Sequence, residues 1–75
     1  MPNNLTKEKL ISTLIHQRKE AGMTQGQVAK ALGKPQSFVS KYESGERSLD
    51  FIEVIDVIEA IGLDPIITIS KLISD

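Results

Sequence analysis

The chain has 75 residues and no cysteine, so it makes one small domain that neither disulfides nor a thiolate metal site can support. Its longest apolar stretch, residues 51–63, is interrupted by Glu53, Asp56 and Glu59, and no basic-then-apolar leader opens the chain; a soluble, cytoplasmic protein with no membrane span is expected. The net charge of −1 hides an uneven spread, with eight Lys/Arg against four acids in residues 1–47 and one against six in residues 48–75, as if one face could meet phosphate and another should avoid it.

Five helices are predicted in chain order. Helix 1 (6–22) starts at Thr6 as N-cap, with Leu5 and Leu10 set to close a hydrophobic staple. Leu10, Ile11, Leu14 and Ile15 then recur at helical spacing with Arg18 and Ala21, and Gly22 ends the helix. His16 falls off that stripe and reads as a surface residue; as the only histidine it would leave zinc dependent on carboxylates, so no metal or cofactor is expected. Helix 2 (24–32) repeats the start signal with Thr24 as N-cap and Gln27 completing a capping box. Val28, Ala29 and Leu32 form its inner face, and Gly33 stops it after about two turns, too few to persist unpacked.

Helix 3 (35–44) begins at Pro35 and ends at Ser44-Gly45, with Phe38, Val39 and Tyr42 on its apolar side. Phe38 and Tyr42 accordingly read as core rather than as stacking platforms. Helix 4 (50–61) starts at Asp50 with Glu53 three residues on, and Leu49 can staple to Val54. Phe51, Val54, Ile55, Ile58 and Ile61 are its expected core side, which leaves Ile52 and Val57 as surplus apolar surface. Residues 64–73 are double-natured: Asp64-Pro65 starts a helix well, whereas Ile66-Ile67-Thr68-Ile69 is β-branched and suits a strand. A short helix is preferred because no other segment could pair with a strand.

The informative unit is residues 24–45, a two-turn helix, a glycine turn and a second short helix with a polar front. Ala29 keeps the inner face of helix 2 small, Gly33 permits a sharp turn, and Val39 packs back into the angle. Such spacing describes a helix-turn-helix. Around it stand Arg18, Gly22-Met23-Thr24-Gln25, Val28-Ala29, Leu32-Gly33, Val39-Ser40, Glu43-Ser44-Gly45-Glu46-Arg47 and Ala60-Ile61-Gly62-Leu63. Over residues 14–63 this pattern resembles the phage Cro/cI-repressor type of helix-turn-helix, also called XRE-like. The chain departs from it in Leu49, where proline is common, in Pro35, which replaces a usual Ser/Thr, and in Gly26, which weakens helix 2.

The resemblance implies an all-α, five-helix, lambda-repressor-like DNA-binding domain with its helix-turn-helix at helices 2 and 3. It implies that Gln36, Ser37 and Lys41 enter the major groove of double-stranded DNA, with Ser40 near the backbone or an adjacent base. Their chemistry agrees: Gln can pair with adenine N6/N7, Lys can donate to guanine O6/N7, and Ser can take either role. Gln25 matches the family's phosphate-gripping glutamine; Thr24, Lys34 and Arg47 are placed for further phosphate contacts. Arg18 and Glu43 are implied to form a partly buried ion pair joining helix 1 to the end of helix 3.

The expected function is that of a transcriptional regulator, a repressor by preference, that binds a palindromic operator as a homodimer. Surplus apolar surface on Ile52, Val57, Ile66, Ile67, Ile69 and Ile73 offers a dimer seam on helix 4 and the C-terminal segment. The competing account has the tail folding back over helices 1 and 4 in a monomer. An adaptor whose acidic C-terminal half docks a partner protein, as an antitoxin docks its toxin, is the alternative function. An enzyme is not expected, because the chain has no nucleophile–base–orienter set, phosphate loop or metal cluster. No effector domain follows the helix-turn-helix, so a small-molecule ligand is not expected either.

Overall fold

The computed structural model describes residues 5–74. Five helices follow one another, α1 (Lys7–Glu20), α2 (Gln25–Leu32), α3 (Gln36–Ser44), α4 (Phe51–Ile61) and α5 (Pro65–Ser74), with no strand among the described residues. Side chains start them in the way short helices need, by satisfying orphan N–H groups. Thr6 Oγ1 accepts from Lys9 N at 3.0 Å, and both Thr24/Gln27 and Asp50/Glu53 close complete capping boxes. The tail is helical: Asp64 Oδ1 accepts from Ile66 N at 2.8 Å and Ile67 N at 3.2 Å, and this cap outweighs the β-branched run behind it. Gly33 ends α2 at φ 69°, and a Cβ there would meet nothing within 4 Å. Glycine is therefore required by the turn's left-handed backbone, not by crowding.

The turn folds α3 against α2, and Val28, Ala29 and Val39 fill the angle, all buried. Leu14 of α1 and Val54, Val57, Ile58 and Ile61 of α4 complete the core around Tyr42. Helix α4 departs from the sequence expectation. Val57 is fully buried, whereas Phe51 is 67% and Ile52 63% exposed. At 100° per residue the buried stripe is centred near Val54 and Ile61, with Val57 and Ile58 each about 50° to either side. Phe51 lies about 70° from that centre in the terminal turn, and Ile55 about 110°, at the half-buried edge. A stripe that takes Phe51 and Ile55 as core is turned toward one edge and leaves Val57 out.

In α5, Thr68 and Leu72 are buried one turn apart and Ile69 packs against the core, so part of the tail does fold back onto the domain. Ile66, Ile67 and Ile73 remain exposed, Ile66 at 78%. The expected apolar seam thus loses Val57 and Ile69 and gains Phe51.

Tyr42 is fully buried, and its hydroxyl has no hydrogen-bond partner among the described residues. Burial pushes its pKa up to about 12 from an ordinary value of 10.0. The unfolded tyrosine ionises first, so its contribution is complete below pH 10 and is lost as pH rises from 10 toward 12. The loss amounts to about 2–3 kcal/mol. Tyr42→Phe should abolish this difference and, by removing an unpaired buried hydroxyl, raise stability at neutral pH by about 1 kcal/mol. Urea unfolding of both proteins at pH 8 and pH 11 checks it: equal alkaline losses would show that Tyr42 ionises freely in the folded state.

Candidate nucleic-acid interface

Helix α3 is anchored by one side and open on the other. Val39 and Tyr42 are buried and Phe38 is half-buried, which turns Gln36, Ser37 and Lys41 to the exposed face and leaves Ser40 half-exposed. Ser40 Oγ donates to Ser37 O at 3.2 Å, and Ser44 Oγ donates to Lys41 O at 3.1 Å, so both hydroxyls lie along the helix wall. Pro35 is the N-cap and offers no side-chain acceptor, so the first turn of α3 keeps donors available to water or an anion. An amide, a hydroxyl and an ammonium on one short helix face can read base edges in a groove wide enough for the helix.

The residues expected at phosphates lie in three settings. Lys34 is exposed in the turn before α3, its Nζ 5.6 Å from the Phe38 ring centroid. Thr24 Oγ1 accepts from Gln27 N at 3.1 Å, which leaves the hydroxyl proton free to donate. Gln25 Nε2 donates to Glu43 Oε1 at 3.0 Å, so one amide proton is already committed. What Gln25 can still offer an anion is its second amide proton and its backbone N–H at the start of α2.

Arg47 lies in the loop after α3, and its guanidinium is already engaged. Its Nη1 and Nη2 donate to Glu53 Oε1 and Oε2 at 3.0 and 2.8 Å, and Nη1 also donates to Ser48 O at 3.0 Å. The hydrogen bonds with Glu53 raise the Arg47 pKa above the ordinary guanidinium value. They are also the main cause that lowers the Glu53 carboxyl, with the Asp50 N–H adding to it. Sequence reasoning missed this pair because Glu53 was already accounted for by its capping box.

Arg18 and Glu43 form the buried electrostatic centre behind the face. Arg18 Nε donates to Glu43 Oε2 at 2.7 Å and Nη2 to Oε1 at 3.0 Å, while Nη1 donates to Met23 O at 2.9 Å. The two side chains are only 11% and 7% exposed. The bonds to Glu43 hold Arg18 protonated beyond the ordinary guanidinium range. With Gln25 on the same carboxylate, this network joins α1, α2 and α3, and no spacing within the sequence could have revealed the Gln25 bond. His16 is exposed and lies 3.8 Å from Glu20 one turn on. Among the described residues no group of His, Cys, Asp or Glu is arranged to hold a metal, and no helix is long and apolar enough to cross a membrane.

Comparison with known proteins bears on the same segment. The family model described as helix-turn-helix matches residues 14–67, more than half of the chain. A solved structure described as an XRE-family like protein from Pseudomonas syringae pv. tomato str. DC3000 is 48% identical, with a TM-score of 0.85. The match covers 88% of this chain and 80% of that one. No curated protein matches at a significant level.

Proposed function

Because this chain belongs to the XRE-like helix-turn-helix family of DNA-binding regulators, we propose that it represses transcription from a palindromic operator, which it binds as a homodimer. The observation that carries this reading is the two-sided build of α3, with Val39 and Tyr42 locked in the core while Gln36, Ser37 and Lys41 stand free. Gln36, Ser37 and Lys41 read base edges, Ser40 lies beside them, and Thr24, Gln25 and Lys34 hold phosphates. One such helix covers few base pairs, so two-fold pairing of half-sites about 34 Å apart supplies affinity and specificity together. The acidic α4, and α5 with it, stay on the side away from the duplex, in the cytoplasm where the operator is.

Selection of bound duplexes from a random pool tests the reading, and a two-fold symmetric consensus is expected. Gln36→Ala should change the preferred base at one position per half-site at a cost of about 1–3 kcal/mol. A uniform loss over all sequences would mean that α3 does not read bases.

The exposed apolar residues Phe51, Ile52, Ile66, Ile67 and Ile73 support the homodimer, since a small monomer rarely leaves so many uncovered. Ile66→Glu, Ile67→Glu should leave folding intact, because neither side chain is in the core, and should shift sedimentation from dimer to monomer. A wild type that sediments as a monomer at high micromolar concentration would defeat the preformed dimer. The same surface could instead dock a partner protein, as an antitoxin docks its toxin, and a monomeric wild type would favour that second reading.

A further inference from the structure

Arg47 touches both ends of α3 and the start of α4. Its backbone N–H donates to Lys41 O at 3.1 Å, closing the last turns of α3. Its guanidinium carbon lies 4.7 Å from the centroid of Phe38, in the first turn of the same helix. Its outer nitrogens hold both oxygens of Glu53 and the Ser48 carbonyl, which engages three of its five N–H donors. Glu53 is itself fixed, because Oε1 also accepts from Asp50 N at 3.0 Å. A guanidinium forked onto a carboxylate with its plane near a ring is already neutralised, and transfer to a phosphate would break that fork.

Phe38 needs such support. The ring meets Tyr42 edge-on at 5.8 Å, but it also borders an open cleft of about 530 Å³ shared with Leu32, Lys34, Glu53 and Ala60. Packing alone does not hold it on that side. Phe38 directly follows Gln36 and Ser37 and stands one turn before Lys41, so a shift of α3 that carries this ring also carries the side chains proposed to face the groove.

We propose that Arg47 is a positioning residue for α3, clamping Phe38 and Lys41 to the start of α4 with Glu53 as its anchor, and that it neutralises no phosphate. This role rests on the base-reading function proposed for α3 and says what sets its accuracy. Base preference, more than overall grip, then depends on the Arg47–Glu53 pair.

The probe is the duplex that the wild-type chain selects from a random pool. Arg47→Lys keeps the charge but cannot form the fork or stack on the ring. Glu53→Gln keeps an amide oxygen for the capping box but removes the anionic anchor. Both variants should bind the selected duplex about tenfold more weakly and show a flattened preference on reselection. Their log affinity against log salt should keep the wild-type slope.

A phosphate-gripping Arg47 gives the opposite pattern. Arg47→Lys would then stay near wild type, Glu53→Gln would bind more tightly, and Arg47→Ala would lose about 0.9 of slope for each contact. That pattern overturns the positioning role and leaves DNA reading intact. Equal weakening on every sequence with an unchanged preference would overturn it too, since only fold stability would then be at stake. Should Arg47→Lys fail to fold, Glu53→Gln decides alone, its helix cap being retained. A wild type that selects no sequence at any salt defeats the DNA-reading function, and the positioning role falls with it.

Discussion

Raising salt from 50 to 200 mM should weaken binding of the selected duplex by about 10³-fold. Counterion release sets this figure: each neutralised phosphate adds about 0.9 to the slope of log affinity against log salt. Lys34, Thr24 and Gln25, the last two at the N-terminus of α2, supply about three phosphate contacts per subunit on this reading, hence about six in a two-fold dimer. With Arg47 held by Glu53, two contacts drop out; including them would steepen the loss by roughly another tenfold over the same interval. Fluorescence anisotropy titrations at four or five salt concentrations would measure the slope directly. A slope near zero would leave the basic half of the chain without its proposed use, and binding undetectable even at 50 mM would remove the regulator reading altogether.

The fold was largely legible because its punctuation is local. Thr6, Thr24 and Asp50 each start a helix through a bond spanning three residues, and such bonds can be read from the sequence. The outer face of α3 was legible for a related reason: Phe38, Val39 and Tyr42 share one side, so Gln36, Ser37 and Lys41 must take the other. Where apolar residues were too many, the period stopped discriminating. Helix α4 has eight apolar side chains in eleven residues, so several stripes fit, and only the packing of α2 and Tyr42 against it selects Val57 over Phe51. In α5 the same excess hid Thr68, a polar residue that is buried while Ile67 beside it is exposed. The remaining gap concerns side chains with two uses. Glu53 both caps α4 and holds Arg47, and Gln25 both begins α2 and bonds Glu43. A sequence pattern records the first use and is silent on the second.

Arg18→Met should cost about 3 kcal/mol, a large part of the roughly 4–11 kcal/mol a domain of this size commands. The low end of the buried-pair range applies because each side chain keeps about a tenth of its surface in contact with solvent. The substitution fills much of the same volume but leaves the Glu43 carboxylate with only the Gln25 amide, and leaves Met23 O without its donor. Glu43→Gln exposes the opposite problem, a guanidinium beside a neutral amide that can accept only part of its fork. The double variant has no unpaired buried charge, so it should be more stable than the two single losses added together. The coupling from a double-mutant cycle should reach about 1–3 kcal/mol. Urea unfolding of all four proteins would measure it, with the slope against denaturant used to confirm a common two-state transition. A single-variant loss below about 1 kcal/mol would place the pair among solvated surface contacts, whose worth is that small. Stability would then have to come from the Val28, Val39 and Ile58 core alone, and the join between α1 and α3 would be free to move.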